Sequence, residues 1–451
     1  MKLVALNLTT FRCFQEAMIM FHPKLTVFVS ENGGGKTAVL EAINFLLSRM
    51  ATGLIQRDGK AMTTNDIKIG TNQQSADLAQ ISLSIYLPTQ GSTLLIAIKV
   101  KDKSVKKVYP QFEFDAELGK PASNPEDIAK LKQNFNEFIS GLLEAEKTGK
   151  PYTLPLVRYY GTNRVFMAEV ERRTDFRKQF RRFEAFEGAF GATSNFRAIY
   201  ERFDYLERLE LHAQRELRDF NYELPDLKVM REAIRIMLPS FSNPRTKLKP
   251  LQFVIDQTLE NGEVKTLRLG QLSDGFRTML ALAMDLSLRM AQANPSEATG
   301  INPLHQEAIV IIDEIDLHLH PMWQQRILGD LRRTFPNTQF IVSTHSPQVL
   351  STVPAECIRV IENNQIFTPS GTEGAESNRI LKRIFGVDPR PQKNMATREL
   401  LEYQELVFKN EWASPRAIEL RTILDQRYLG EEPALLEADL FIENRIWEQN
   451  Q

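Results

Sequence analysis

A short apolar run that enters a helix through a glycine-rich loop constrains the fold of this chain more than any other feature. The run LTVFV covers residues 25–29, the loop SENGGGKT follows it, and TAVLEAINFLL continues with helical periodicity. In such a strand–loop–helix unit the loop N–H groups and the helix dipole point at one place, which favours a bound phosphate. The sequence therefore predicts an α/β domain with a phosphate loop at residues 30–37.

The residue types in this phosphate loop match the contacts that a nucleotide needs. Consecutive glycines permit positive φ and close backbone approach, a lysine can reach the β- and γ-phosphates of ATP, and a threonine hydroxyl can bind Mg²⁺. Ser30 stands where the G-x-x-x-x-G-K-[ST] pattern has its first glycine, which predicts altered loop geometry or affinity rather than loss of the site. A glycine turn followed by a chance lysine is the alternative, and the flanking strand and helix disfavour it. The predicted binding residues are Ser30, Asn32, Gly33, Gly34, Gly35, Lys36, Thr37 and Ala38, and Thr37 is also a predicted metal ligand.

Two later apolar runs end in polar residues that can complete such a site. The run IVIIDEID carries Asp313 and Glu314, and FIVSTHSP places His345 at the end of another buried strand. Asp313 would hold Mg²⁺, and Glu314 is the natural base for the attacking water. His345 could hydrogen-bond the γ-phosphate and sense its loss. Taken alone, the acids read equally well as the tip of a buried strand, and a lone histidine is more often structural.

A fourth motif, QLSDGFRT at residues 271–278, precedes a long apolar helix. Its Ser273, Asp274 and Gly275 offer a hydroxyl, backbone N–H groups and a helix dipole to a phosphate. Along the chain the motifs come in the order phosphate loop, LSDG, DE and STHSP. With this order the chain resembles the ABC-type ATPases, and within them the branch of Rad50, RecF, SMC and OLD proteins. The resemblance covers residues 1 to about 55 and 265 to 350. It implies ATP and Mg²⁺ as ligands, and a homodimer in which the signature serine of each protomer completes the site on the other's phosphate loop.

The resemblance also implies three further contacts. Arg12, in FRCF, occupies the position where RecF-like ATPases contact adenine, although a core turn is an equal reading. Asn163 follows the apolar strand VRYY and would replace the glutamine that the family has in this loop. Asp316 begins DLHLHP, where the family has a loop that crosses the dimer interface. His318 and His320 suggest a metal in isolation, but no matching ligand set stands near them in the sequence.

Charge and cysteine content argue against several other functions. The formal net charge of -1 provides no whole-molecule attraction to nucleic acid or anionic membranes. The two cysteines make no disulfide framework or metal cluster, which is typical of a reducing compartment. Because no apolar stretch of about 18 residues and no cleavable leader pattern is found, the sequence predicts a soluble cytoplasmic protein with no membrane partner.

The order of the apolar runs predicts an α/β fold. We expect an ABC-ATPase head with a mixed sheet, an antiparallel β subdomain, a helical insertion and a helical C-terminal tail. The β-type runs between residues 79 and 115 suggest the antiparallel part. The predicted boundaries are 1–120 for the first half of the ATPase lobe, 121–240 for the mainly helical insertion, 241–370 for the second half, and 371–451 for a helical partner-docking region.

Two segments outside these motifs bear on what hydrolysis is for. RRTDFRKQFRR, residues 172–182, could lie along nucleic-acid phosphates, although the balanced charges around it favour a solvated helical face. The 106 residues after His345 show no acidic cluster of the D-x-D kind that an OLD-type nuclease needs, so no nuclease is predicted in this chain. They predict instead short amphipathic helices with acidic bias at the end, which could pack on the core or dock a partner.

The compact layout, the phrase LSDGFRTML and the helical tail ending in EADLFIE narrow the resemblance. They resemble the PtuA ATPases of the bacterial Septu anti-phage systems, which are also found in some retron systems. This resemblance implies an HNH nuclease partner (PtuB) and an ATPase that acts as oligomeric scaffold and nucleotide sensor, with nucleic acid bound through the complex. Two alternatives stay open: a RecF-like repair ATPase that binds DNA itself, and an ATP-binding switch with negligible turnover.

Overall fold

The computed structural model describes residues 1–55, 78–87, 91–100, 125–162, 181–191, 196–249 and 251–449. Contacts between residues divide the chain into two compact units, Met1–Ala375 and Glu376–Gln451. The described strands of the first unit form three sheets. In the second unit, the described residues form helices joined by turns. None of the described helices is both long enough and apolar enough to cross a membrane.

The strands follow the apolar runs of the sequence. They are β1 (Lys2–Phe11), β2 (Phe14–Met20), β3 (Leu25–Val29), β4 (Leu78–Leu87), β5 (Gly91–Val100), β6 (Leu156–Tyr160), β7 (Phe241–Leu248), β8 (Leu251–Thr258), β9 (Val264–Arg268), β10 (Ala308–Ile312), β11 (Thr338–Ser343), β12 (Ile358–Glu362) and β13 (Gln365–Phe367).

The helices fall into both units. Those of the first unit are α1 (Lys36–Ile55), α2 (Pro125–Thr148), α3 (Phe196–Leu217), α4 (Pro225–Met237), α5 (Asp274–Ala293), α6 (Ser296–Thr299), α7 (Pro321–Gln324), α8 (Ile327–Thr334) and α9 (Pro347–Leu350). Those of the second are α10 (Ser377–Ile384), α11 (Met395–Phe408), α12 (Pro415–Tyr428) and α13 (Pro433–Gln449).

The central sheet positions the ATPase motifs. Its strand order is β13-β12-β3-β11-β10-β6, and all neighbours are parallel except the β12–β13 hairpin. Strands β3, β6, β10 and β11 are buried along their whole length, as continuous apolar runs in parallel sheets usually are. Because the strands are parallel, the loops that follow β3, β6, β10 and β11 meet at one edge of the sheet.

Two smaller antiparallel sheets are built from strands that lie in sequence between those of the central sheet or before them. The order β2-β1-β4-β5 contains the N-terminal hairpin, and β7-β8-β9 leads into the segment before α5. The predicted antiparallel sheet between residues 79 and 115 is confirmed for its first two runs, since β4 and β5 pair antiparallel from Leu87–Gly91 to Leu78–Val100. The third run, KVYPQFEFDA, lies outside the described residues. The mixed α/β fold class is therefore confirmed.

The segment predicted as a mainly helical insertion, residues 121–240, is interrupted by a strand of the central sheet. It contributes α2, α3 and α4, but it also contributes β6, which pairs in parallel register with β10. The physical reason is that LVRYY is apolar enough to be buried on both faces once the charge of Arg158 is neutralised inside the core. The residues up to Ala375 accordingly form one compact unit.

The second unit has an apolar core of its own. Residues from α11, α12 and α13 form a buried cluster that includes Leu400, Tyr403, Leu420, Leu424 and Leu435. Arg421 and Asp439 join α12 to α13 through two side-chain hydrogen bonds. The predicted amphipathic helices of the C-terminal tail therefore pack on one another.

Candidate nucleotide-binding site

The phosphate loop, residues 30–37, follows the end of β3 and includes the first two residues of α1. Gly33 and Gly35 have φ of 78° and 102°, in a region that residues other than glycine rarely adopt. A Cβ on Gly35 would lie 2.7 Å from the Phe14 ring and 2.8 Å from the Cys13 sulfur. The turn between β1 and β2 thus forms one wall of the loop, and this wall requires glycine at position 35.

Lys36 is held by oxygen atoms of its own loop. Its Nζ donates to the Ser30 carbonyl at 2.9 Å, to the Ser30 hydroxyl at 2.9 Å and to the Glu31 carbonyl at 3.2 Å. Burial lowers the pKa of Lys36, while nearby carboxylates, Asp313 first among them, act in the opposite direction. The ammonium is therefore surrounded by oxygen acceptors that phosphate oxygens could replace.

The contacts of the Ser30 side chain explain why the loop tolerates a serine in place of the usual glycine. Its hydroxyl accepts from Lys36 and donates to the Glu31 carbonyl at 2.8 Å. A Cβ on Gly34 would come within 2.7 Å of the Ser30 side chain. The Ser30 side chain therefore occupies space that is free because residue 34 is a glycine. Ser30 thus adds an acceptor for the lysine.

We expect Ser30→Gly to strengthen ATP binding about three- to tenfold, because Lys36 loses one of the acceptors with which phosphate must compete. Titration with a fluorescent ATP analogue measures this change. Ser30→Ala removes the same hydroxyl and keeps the Cβ, so it should show the same gain if the hydroxyl is the cause. If both variants bind ATP with parental affinity, the hydroxyl does not restrain the lysine.

Thr37 and Asp313 meet although 276 residues separate them in sequence. The Thr37 hydroxyl donates to Asp313 Oδ2 at 3.1 Å, and Asp313 is 2% exposed at the end of β10. A hydroxyl and a carboxylate are hard oxygen donors of the kind that Mg²⁺ prefers. The residues present therefore fit the predicted metal, and Asp313 and Thr37 would hold it.

Glu314 follows Asp313 in a strained backbone conformation. Its φ is 50°, in the left-handed region that residues other than glycine adopt only at a cost. Its N–H donates to the Ser343 hydroxyl at 2.7 Å, and that hydroxyl in turn donates to Asp313 Oδ1. The bond to Ser343 holds Glu314 in this strained conformation. The half-buried Glu314 is thereby fixed directly after β10, beside Asp313.

Ser343 is a site residue that sequence reasoning missed. It is the last residue of β11, it is fully buried, and its hydroxyl links the backbone of Glu314 to the carboxylate of Asp313. The available signal was its place in the S-T-H motif at the end of a buried strand. Only the parallel pairing of β10 with β11 shows that this serine faces the acids.

His345 reaches the site through the loop after β11. Burial lowers the pKa of His345, and the positive charge of Lys36 adds to this effect, against the pull of the Asp316, Glu314 and Asp313 carboxylates. The imidazole is therefore neutral near pH 7, with one ring nitrogen able to donate and one able to accept.

Asp316 contacts residues of its own chain. Its Oδ1 accepts from the Thr344 hydroxyl at 2.5 Å and from the His345 N–H at 3.4 Å. The carboxylate thereby orients the loop that carries His345. The contact across a dimer interface that the family resemblance implies for Asp316 stays a prediction.

The signature loop, residues 271–275, is accessible at the start of α5. Ser273 caps this helix, with its hydroxyl accepting from the Phe276 N–H at 3.5 Å, and both Ser273 and Asp274 are exposed. A Cβ on Gly275 would lie 3.2 Å from the His318 carbonyl, so the signature loop packs against residues 316–321. None of the hydrogen bonds found in the described residues joins Ser273, Asp274 or Gly275 to the phosphate loop.

The remaining predicted residues divide into described and undescribed ones. Arg12, with φ of 51°, pairs with Glu41 of α1 at 2.5 Å and lies 5.3 Å from the centre of the Phe11 ring. This contact docks the first turn on the phosphate-loop helix, and the adenine contact stays a prediction. Asn32 is exposed at the loop tip, Ala38 is buried in α1, and Asn163 lies outside the described residues.

The two suggested metal histidines remain separate from any ligand cluster in the described part of the chain. His318 and His320 are exposed, and His320 Nδ1 accepts from the Met322 N–H at 3.4 Å. No group of three or more histidine, cysteine or acidic residues that could hold a metal is found among the described residues.

The basic stretch 172–182 is described only at Arg181 and Arg182. Arg182 Nε donates to the Ala293 carbonyl at 2.8 Å, and its guanidinium lies 3.7 Å from the centre of the Tyr152 ring. A further donor of Arg182 bonds the Tyr152 carbonyl at 2.9 Å. Arg182 is therefore half-buried and bonded to its own chain. Contact of this stretch with nucleic acid stays a prediction.

Comparison with known proteins places this site in a wider group. The family model AAA_21, described as "AAA domain, putative AbiEii toxin, Type IV TA system", matches residues 25–351. The chain is 29% identical over its full length to the Retron Ec83 probable ATPase of Escherichia coli, covering 88% of that protein. It is 28% identical over 74% of its length to the Retron Vc95 probable ATPase of Vibrio cholerae serotype O1 biovar El Tor, covering 68% of it. It is 31% identical over 32% of its length to Septu protein PtuA of Bacillus mycoides (strain KBAB4), covering 21% of that relative.

Proposed function

The chain belongs to the AAA_21 family, as an ABC-type ATPase of the Rad50, RecF and SMC branch, and on this premise we propose that it is the nucleotide-sensing ATPase of a bacterial anti-phage defence system. The observation that carries this proposal is the full-length similarity to a retron ATPase, combined with phosphate-loop, acidic and histidine residues gathered at one sheet edge. The partial match to a Septu PtuA protein supports the same reading.

The first role of the site is to bind the triphosphate and its metal. Lys36 exchanges the loop oxygens for phosphate oxygens, and the N–H groups of the glycine loop face the same charge. Thr37 and Asp313 would hold the metal, which would supply positive charge against the phosphates.

The second role is hydrolysis. Glu314 accepts a proton from the attacking water, and its backbone is fixed for this task by Ser343. The neutral His345 donates a hydrogen bond to a γ-phosphate oxygen, so its loop reports whether that phosphate is present.

The third role is assembly. Ser273 is exposed at the N-terminus of α5 and lacks a described bond to its own phosphate loop, which suits completion of a second protomer's site. Two chains related by a two-fold axis then enclose two composite sites, and such pairs associate further into a scaffold.

The partner in this proposal is a separate HNH nuclease. The helical second unit, residues 376–451, is its docking region, and the nucleotide state of the ATPase controls when the nuclease acts. The names of the retron and Septu relatives support a defence role, and the nuclease is implied by the Septu resemblance.

Phage infection of cells that carry this chain with its native flanking genes tests the proposal. We expect protection that falls at least about 100-fold with Lys36→Ala, since the lysine anchors the phosphates. We also expect an HNH nuclease to copurify with the chain. If the chain instead protects nothing, lacks such a partner and binds gapped DNA tightly by itself, the RecF-like alternative is correct.

A further inference from the structure

A buried carboxylate on α5 accepts from three side chains, two on β6 and one on the next turn of α5. Asp285 accepts from Arg158 Nε at 2.9 Å, from the Tyr160 hydroxyl at 2.9 Å and from Arg289 Nε at 2.8 Å. These four residues are termed the Asp285 cluster. Tyr160 is fully buried, Arg158 is 2% exposed and Asp285 is 6% exposed.

The Asp285 carboxylate is the one acidic group of this cluster, and it faces two guanidinium groups. Burial alone would raise the pKa of Asp285, but Arg289 and Arg158 outweigh it and hold that pKa well below its usual range. One further nitrogen of each guanidinium, Nη1, donates to backbone carbonyls at 2.6–3.0 Å, those of Ala185, Glu187, Gly188 and Ala189. Moving the Asp285 carboxylate would leave two guanidinium groups without their carboxylate partner, so the network resists displacement.

Tyr160 connects this network to the metal-binding residue. It is the last residue of β6, where it pairs with Ile312 of β10, and its carbonyl accepts from the Asp313 N–H at 2.8 Å. Its hydroxyl, at the other end of the residue, is fixed on Asp285 of the signature helix α5. Tyr160 therefore bonds both α5, the helix that Ser273 caps, and the backbone of Asp313.

We propose that Tyr160 is a positioning residue for Asp313, and that its hydroxyl bond to Asp285 aligns the metal carboxylate with the signature helix. This inference rests on the proposed ATPase function. Asp285 lies 12 residues along α5 from Ser273, or about 18 Å at the rise of an α-helix. A shift of α5 when Ser273 engages a second protomer's nucleotide is thus transmitted through Tyr160 to Asp313.

The test replaces Tyr160 by phenylalanine in a Glu314→Gln background and measures ATP-analogue affinity with Mg²⁺ and with EDTA. Tyr160→Phe removes one hydroxyl and leaves the buried ring and both arginine partners of Asp285 in place. We expect unchanged affinity in EDTA and a gain from Mg²⁺ that is about three- to tenfold smaller than in the background variant. Without the background substitution, Tyr160→Phe should lower kcat more than it changes KM.

Tyr152→Phe is the matched control, because the Tyr152 hydroxyl also donates to a carboxylate, that of Glu146 at 2.6 Å. Glu146 is at an exposed position of α2. This control should keep the parental response to Mg²⁺. An unchanged Mg²⁺ response in Tyr160→Phe overturns the inference. A parallel loss of affinity in Mg²⁺ and EDTA together with a lower Tm also overturns it, since that pattern indicates a merely structural residue. If the parental chain does not hydrolyse ATP, the proposed function fails, while the Mg²⁺-dependent binding still decides the role of Tyr160.

Discussion

Glu314→Gln should lower kcat for ATP hydrolysis at least about 100-fold while ATP binding is retained. A positioned general base contributes a factor of about 10² to 10⁴, and an amide cannot accept the proton of the attacking water. The substitution is nearly isosteric, so the backbone bond from Glu314 to Ser343 and the strained φ of 50° can persist. The nucleotide should therefore remain bound and hold two protomers together.

Steady-state phosphate release and size-exclusion chromatography with ATP measure the two halves of this prediction. Glu362→Gln is the control, because Glu362 also ends a parallel strand of the central sheet, β12, but is exposed in the β12–β13 hairpin. It should hydrolyse ATP at the parental rate. Parental turnover in Glu314→Gln would show that another group activates the water.

Mixing two inactive variants should restore activity if the sites are composite. Lys36→Ala removes the ammonium that binds phosphate, and Ser273→Arg blocks the exposed signature loop with a bulky cation, so each variant alone should lose at least about 100-fold in rate. In a mixed pair, the intact phosphate loop of one protomer meets the intact serine of the other. Each mixed pair has one intact site of two, so mixed pairs that are purified away from the unmixed ones should return about half of the parental rate.

Two different affinity tags verify that mixed pairs have formed, and the rate is then measured on the doubly purified material. A doubly mutated chain, Lys36→Ala with Ser273→Arg, mixed with the parental chain is the control for dilution. Mixed pairs that form but stay inactive would contradict the composite site, as would a Ser273→Arg protein with parental turnover.

The sequence predicted the parts of the site that local chemistry determines. Gly33 and Gly35 follow from the positive φ of the loop, and the continuous apolar runs before residues 30 and 313 predict strands buried on both faces. The polar residues after these runs were expected to complete one site, and the bond between Thr37 and Asp313 joins two of the motifs. Ser273 was expected in a loop before a long apolar helix, and the structure makes it the N-cap of that helix.

What the sequence by itself determined is therefore the strand–loop–helix unit, the order of its partner motifs and the chemistry that each motif offers. The tertiary structure alone decided which side chains meet: Ser343 with Asp313, Arg182 with Tyr152, and Tyr160 with both Asp285 and Asp313. The physical reason is that backbone propensity and apolar periodicity act over a few residues, whereas these bonds join residues that are 30 to 153 positions apart and depend on strand order and register.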